Sequence, residues 1–309
     1  MAFAAEPSPS AADVPPAWAY PVDPPGLPSP VDDGTLRHVP DSAVGYTLSQ
    51  VRDGFLSPDW HPADHPAMPE IVAHGRKPAV MACGYCHRAE GTGGPENASL
   101  AGLPAAYIIQ QVLDFQSGAR TTALPERAPQ KNMIALSKPI ATAEIEEAAA
   151  YFSSLKLKAN IQVIETDNVP ETGVHGWHLV DLHNGKKEAI GQRIIEVPDD
   201  MEQFVSRDSR ARFTAYVPTG SIQKGKELAV TGGGGRTVPC ATCHGPDLRG
   251  LGPIPGLAGR SPSYLMRQLY EFKHDGRTGA VAARMRPTVD HLTEEDMIDL
   301  SAYAASLEP

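Results

Sequence analysis

Cysteine is scarce in this sequence: four residues among 309, all within two short pentads. Aromatic residues are also few, 6% of the chain, so a core must draw apolar area from something other than rings. No run approaches the roughly eighteen apolar residues of a membrane-spanning helix, which predicts a chain without a membrane span. Positive charge is in deficit, 27 Lys and Arg against 37 Asp and Glu, for a net charge of −10. That balance argues against nucleic acid or an anionic membrane as partner. The start, Met1-Ala-Phe-Ala-Ala-Glu6, has neither the basic nor the apolar region of a signal peptide. Ala2-Phe3-Ala4 does resemble the small-x-small end of one, so an export signal that has been removed or replaced is expected.

The acidity is uneven. Residues 1–65 carry 2 basic and 9 acidic side chains, and residues 160–220 carry 6 and 10. Residues 66–159 carry 9 and 8, and residues 221–309 carry 10 and 10. The first forty residues hold 10 of the 30 prolines with little periodicity, which reads as an extended, irregular arm over 1–65.

An internal repeat sets the architecture. Cys83-Gly84-Tyr85-Cys86-His87 recurs 157 residues later as Cys240-Ala241-Thr242-Cys243-His244. At the same offset Leu100-Ala101-Gly102 matches Leu257-Ala258-Gly259, and Tyr107, Gln111 and Phe115 match Tyr264, Gln268 and Phe272. Arg120-Thr121 matches Arg277-Thr278. After a shift of five residues Met133 meets Met285, Tyr151 meets Tyr303 and Leu155 meets Leu307. The i, i+4, i+8 spacing of Tyr107, Gln111 and Phe115 puts them on one helical face, as it does their counterparts. Pro104 and Pro262 stand where helices open, and Thr293-Glu-Glu-Asp296 and Thr142-Ala-Glu144 are capping signals for a last helix in each copy. Two mainly helical domains, 66–159 and 221–309, are therefore predicted. Between them, residues 160–220 hold four short β-like runs, with Asn184-Gly185 as a hairpin turn signal, and are predicted to form a β-rich insert.

Two thiols spaced Cys-x-x-Cys can add across the two vinyl groups of one porphyrin, which places the adjacent histidine under the iron. Two such pentads and no other cysteine imply two hemes c on Cys83 and Cys86 and on Cys240 and Cys243, with His87 and His244 as ligands. A four-cysteine zinc site would need the pairs to converge. A thioredoxin-type redox pair would need an α/β setting that the chain lacks. A second axial ligand is expected from Met133, 46 residues after His87, and from Met285, 41 residues after His244. Histidine with thioether is a neutral pair that favours ferrous iron and leaves no open position for a substrate. That favours electron transfer over catalysis.

In these residues the chain resembles the soluble two-domain diheme cytochromes c of bacterial periplasms, each domain a class I cytochrome c fold. The resemblance covers residues 70–158 and 221–309. It implies electron carriage in the periplasm, from a donor such as a dehydrogenase to an oxidase or reductase. It also implies that Pro255 offers its carbonyl to the ring of His244. The matching position in the first copy is Ala98, so the carbonyl of Pro95 is expected to orient His87 instead.

A diheme peroxidase-like enzyme, or the cytochrome subunit of a dehydrogenase complex, remains as an alternative. Arg120 and Arg277 are candidates for heme propionates or for exposed helix ends, and Tyr85 for packing on a heme edge. Gly232 to Gly235 reads as a flexible loop, and His61 and His65, among prolines, do not read as a metal site. The acidic arm and insert are expected to dock the protein on a basic partner.

Overall fold

The computed structural model of the chain describes residues 14–28 and 30–309. The small-x-small stretch at Ala2–Ala4 lies outside them. The first segment holds one short helix, α1 (Leu48–Arg52), opened by a capping box in which Thr47 and Gln50 exchange hydrogen bonds. The first repeat then runs α2 (Glu70–Ala73), α3 (Cys83–His87), α4 (Ala105–Ser117), α5 (Ala128–Ser137) and α6 (Thr142–Ser154). The second runs α8 (Ser221–Thr231), α9 (Ala241–His244), α10 (Pro262–Lys273), a 3-10 turn (Ala282–Met285), α11 (Arg286–Val289) and α12 (Glu294–Ser306). The two repeats are thus helical and in tandem, each with the fold of a small helical domain around its pentad.

The local chemistry accounts for the helix ends. Thr293 accepts from the Asp296 N–H at 3.1 Å while the Asp296 carboxylate accepts from the Thr293 N–H at 3.0 Å, a full box. In α6 the N-cap is Ala141, one residue earlier than the Thr142 signal suggested. It has no side-chain acceptor, so only half the box forms, with Glu144 accepting from the Ala141 N–H at 2.8 Å. Ser261 caps α10 ahead of Pro262. Ile71, Val72, Ile108, Ala149 and Phe152 build the first core, and Leu228, Met266, Leu292, Met297 and Ile298 the second. The second is closed by α8 lying on α12 so tightly that a Cβ on Gly225 would sit 1.9 Å from the Asp299 carbonyl oxygen. Gly232 to Gly235, expected as a flexible loop, all have positive φ and form a compact turn from α8 towards the second pentad. Gly235 and Thr237 both donate their N–H to the Gly232 carbonyl.

The insert is β-rich, as expected. Strands β1 (Ile161–Glu165), β6 (Ile195–Pro198) and β7 (Phe213–Val217) make a three-stranded sheet in the order β1-β7-β6, with β1 parallel and β6 antiparallel to β7. A long ribbon pairs β2 (Asn168–Pro170) with β5 (Lys187–Ala189) and β3 (Thr172–His175) with β4 (His178–Asp181). Helix α7 (Met201–Val205) precedes β7. The hairpin turn is not at Asn184-Gly185. It is at Gly176 and Trp177, both with positive φ, as a type I′ turn needs. Asn184-Gly185 instead bends the return strand, where Asn184 accepts from the Lys186 N–H at 2.9 Å. A non-local tie favours the tryptophan turn: the Trp177 carbonyl accepts from Arg127 at 2.5 Å and its N–H donates to Asp23 at 3.2 Å.

The described part of the arm is irregular but does not stand away from the fold. Ala19 and Tyr20 are 1% and 2% exposed and belong to the second repeat's core. The Tyr20 hydroxyl donates to Glu271 at 3.0 Å. Further on, Val39, Val51 and Trp60 form a small core of their own, with the Trp60 indole donating to the Ser206 carbonyl at 2.7 Å. The arm thus lays Ala19 and Tyr20 into the second core, with the Tyr20 ring edge-on to Tyr270 at 5.7 Å.

Two substitutions test this packing. Tyr20→Ala should destabilise the second repeat by about 3 kcal/mol, the scale of removing a buried ring. Gly225→Ala should cost about 1–3 kcal/mol by forcing α8 off α12. Calorimetry should show both as a lower unfolding temperature, and an unchanged midpoint for Tyr20→Ala would mean that the arm is not part of that core.

Candidate functional site

The first pentad forms a single turn, α3, after Ala82, and ends at Arg88, whose φ of +66° breaks the helix. Cys83, Cys86 and His87 then face a cleft enclosing about 670 Å³ of empty space, partly open to solvent. Leu100, Ile108, Val112, Leu136, Ile140 and Phe152 line it, and Met133 from α5 enters the same cleft. Met81 lines it too, but stands against Gly54 of the arm, and its counterpart in the second copy is Val238.

His87 is oriented by the Ala98 carbonyl, 2.8 Å from Nδ1. The expected acceptor, Pro95, is engaged elsewhere: its carbonyl accepts from Arg267. The reason is simple. The acceptor is a main-chain oxygen, which alanine supplies as well as proline. In the second copy His244 Nδ1 lies 2.8 Å from the Pro255 carbonyl. A carbonyl only accepts, so Nδ1 carries the proton in both rings and Nε2 keeps its lone pair. Burial lowers the pKa of both histidines, which keeps that lone pair free.

Cys240 and Met285 both pack against the second core, so the structure brings this methionine to the same core as its pentad. Met285 ends the 3-10 turn, whereas Met133 lies inside α5. Burial pushes the Cys83 thiol up to about 12 and the Cys240 thiol up to about 11. A redox dithiol needs the opposite shift, towards a thiolate at neutral pH. Apolar walls, paired thiols, a fixed neutral imidazole and a thioether fit a heme c. They do not fit a four-cysteine metal site, and no cluster of three or more His, Cys, Asp or Glu suited to a metal ion occurs among the described residues.

The helical face shared by Tyr107, Gln111 and Phe115 meets its own copy. Arg120 donates to Gln111 at 2.9 Å, to Gln268 at 2.8 Å and to Tyr264 at 3.1 Å. Arg277 mirrors it, donating to Gln268 at 3.1 Å, Gln111 at 2.6 Å and Tyr107 at 3.3 Å. Phe115 and Phe272 lie under the two guanidinium groups, 4.5 and 4.0 Å from ring centre. The chain crosses this approximate two-fold axis as an antiparallel bridge, with Thr121 N–H on Gly276 O and Thr278 N–H on Ala119 O. Neither arginine is at an exposed helix end; both are buried. Burial lowers the pKa of Arg277, whereas at Arg120 the phenols of Tyr264 and Tyr107 outweigh it. Arg277 Nε is buried with no acceptor.

Tyr85 is covered rather than set against the cleft: Arg207 of the insert lies 3.8 Å over its ring. His61 and His65 pair separately, with Asp208 and Asp59, each at 3.1 Å.

A protein-family model described as cytochrome c matches residues 222–308. Cytochrome c-554(548) of Halomonas halodenitrificans is 41% identical over 70 residues, which span 84% of that protein and 22% of this chain. The chain belongs to the cytochrome c family. The thiosulfate dehydrogenase electron acceptor of Thiomonas intermedia is 26% identical over 74% of this cytochrome and 80% of its own length. Cytochrome c4 of Stutzerimonas stutzeri is 24% identical over 74% and 85%. A crystal structure of reduced cytochrome c4 from Pseudomonas stutzeri is 22% identical with a TM-score of 0.48, covering 73% of this chain and 93% of that one. This cytochrome is a diheme electron-transfer protein and holds two hemes c, one iron in each. No helix among its described residues is long and apolar enough to cross a membrane.

Sequence reasoning placed both arginines by their repeat but missed what they face, because the repeat itself is the partner. Arg277→Leu should lower stability by about 3 kcal/mol, since a charged donor is lost from three partly buried oxygens. Arg277→Lys should recover only part of this, because an ammonium cannot reproduce the fork. Thermal melts of the two variants should rank in that order.

Proposed function

We propose that Cys83 and Cys86 bind one heme through thioethers and Cys240 and Cys243 the other. His87 with Met133 and His244 with Met285 are the axial pairs. The supporting observation is the matched imidazole geometry: Nδ1 of each histidine is fixed on a carbonyl at 2.8 Å, which leaves Nε2 as the only ligating nitrogen. Heme c iron, when bound, supplies reversible one-electron transfer between its ferric and ferrous states. The residues do the tuning. The neutral thioethers of Met133 and Met285 would add no charge and favour the ferrous form, as would the apolar lining of the first cleft. The unpartnered Arg277 Nε at the axis between the repeats suits a carboxylate such as a heme propionate.

With both axial positions supplied by the chain, neither heme keeps a site for substrate, so the protein carries electrons between other redox proteins. We place it in the periplasm, where heme c is attached, with a dehydrogenase as donor and an oxidase or reductase as acceptor. The relative named as an electron acceptor of thiosulfate dehydrogenase matches 74% of the chain, which favours a dehydrogenase of that class as the donor.

Three measurements test this. Unfolded protein should keep two hemes per chain by mass, because thioethers survive unfolding; one heme or none would remove the assignment. Met133→Ala and Met285→Ala should each halve the methionine–iron charge-transfer band of the ferric protein and lower one reduction potential. A variant with the full band would have lost a residue that is not a ligand. Mixing the oxidised holoprotein with thiosulfate dehydrogenase and thiosulfate should reduce both hemes. A spectrum that stays ferric would exclude that donor.

A further inference from the structure

The two pentads are alike in sequence and unlike in cover. In the first, Arg207 of the insert stacks on Tyr85 at 3.8 Å, donates to the Tyr85 carbonyl at 3.0 Å and donates to the Val51 carbonyl of the arm at 3.3 Å. The Tyr85 hydroxyl donates to the Arg52 carbonyl at 3.3 Å. The arm continues along the same face. Ala82 N–H donates to the Gly54 carbonyl at 2.9 Å, and Ser57 stands so close that its Oγ would lie 2.3 Å from a Cβ on Gly84. Behind the pentad, Arg88 donates to the Asp208 carbonyl of the insert.

Among the described residues, the second pentad has no such cover. Thr242, which replaces Tyr85, is exposed, and so is Cys243, whereas Cys86 is half-buried. Val238, two residues before Cys240, is 41% exposed. Among the described residues, the hydrogen bonds of the second pentad stay within its own repeat.

We propose that the arm and the insert close the edge of the N-terminal heme at Cys86, so that electrons enter and leave the protein at the C-terminal repeat, beside Thr242 and Cys243. One-electron transfer falls steeply with the distance between edges. A stacked guanidinium and phenol with a backbone layer over them keep a partner back from the first edge. Nothing comparable among the described residues stands over the second. The N-terminal heme then exchanges with the outside through its neighbour across the Arg120 and Arg277 axis. Arg207 and Tyr85 act here as positioning residues of the cover. They touch neither pair of axial ligands.

This inference rests on the two pentads being the heme sites, so the test uses holoprotein whose mass shows two covalent hemes. Fewer than two would fail the site assignment and leave the closure unaddressed by kinetics, but the exposure difference between Cys86 and Cys243 to a thiol reagent in heme-free chain would still decide it. In the holoprotein, a soluble gadolinium chelate is titrated into the ferrous form and the relaxation of each heme's methyl resonances is followed. The hemes are told apart with Met133→Ala and Met285→Ala. The C-terminal heme should relax several-fold more per unit of chelate than the N-terminal one. Arg207→Ala, with both heme spectra retained, should raise the N-terminal value towards the C-terminal one. Oxidation by tris(phenanthroline)cobalt(III) should show one phase that depends on reagent concentration and one that does not, and Arg207→Ala should make both depend on it. Equal relaxation of the two hemes in the unaltered protein would overturn the closure, even where the variant fails to accumulate. So would an Arg207→Ala protein that leaves the N-terminal heme as shielded as before.

Discussion

The junctions of this chain rest on guanidinium groups, all but Arg207 buried, that donate to main-chain carbonyls. Arg127 of the first repeat holds Pro21 of the arm and Trp177 of the insert. Arg267 of the second holds Ala19 and Pro95, and Arg260 holds Ser99 and Ala101. Arg88 and Arg207 join the first repeat, the insert and the arm. Burial pulls Arg88 and Arg260 down to about 10, which still leaves them charged at neutral pH. A buried charge without enough acceptors is costly, so each group enforces the position of the backbone oxygens around it. Four segments with separate secondary structure are thereby held in one arrangement, and the relation of the two redox centres follows from it.

The same chemistry explains the symmetry at the centre. Each repeat brings a tyrosine, a glutamine and an arginine to the axis, and each arginine uses the glutamine of both repeats. A gene-level duplication of one helical face thus makes an interface with itself, because any donor on that face meets the matching acceptor after a half-turn. The symmetry stops at the outer surface. Glu196 of the insert accepts from Ser261 at 2.7 Å and Ser263 N–H at 3.1 Å, at the positive end of α10, so the insert is anchored on the second repeat while it shields the first.

Much of this was legible in the residues. The pentads, the repeat, the helical faces and the β character of the insert follow from spacing and periodicity, which are local properties. What failed to show was decided elsewhere in the chain. Asn184-Gly185 has the better turn chemistry, yet Gly176-Trp177 turns the ribbon because Arg127 and Asp23 hold it. The acceptor for His87 is a backbone oxygen, and side-chain identity at Ala98 carries no information about it. Tyr20 sits among prolines with no periodic neighbours, so nothing around it marks a core residue.

The contact between the Tyr20 hydroxyl and Glu271 joins residues 251 apart in sequence. The interior of the last repeat is completed by residues made well before it, so that repeat does not reach its final state alone. Contacts of such long range are formed late, since the entropy of closing the loop precedes any gain from the contact. Tyr20 can reach its final contacts only once α10 has been made. The two halves of the duplicated protein are therefore expected to act as one cooperative unit, in which docking of the arm is the final topological step.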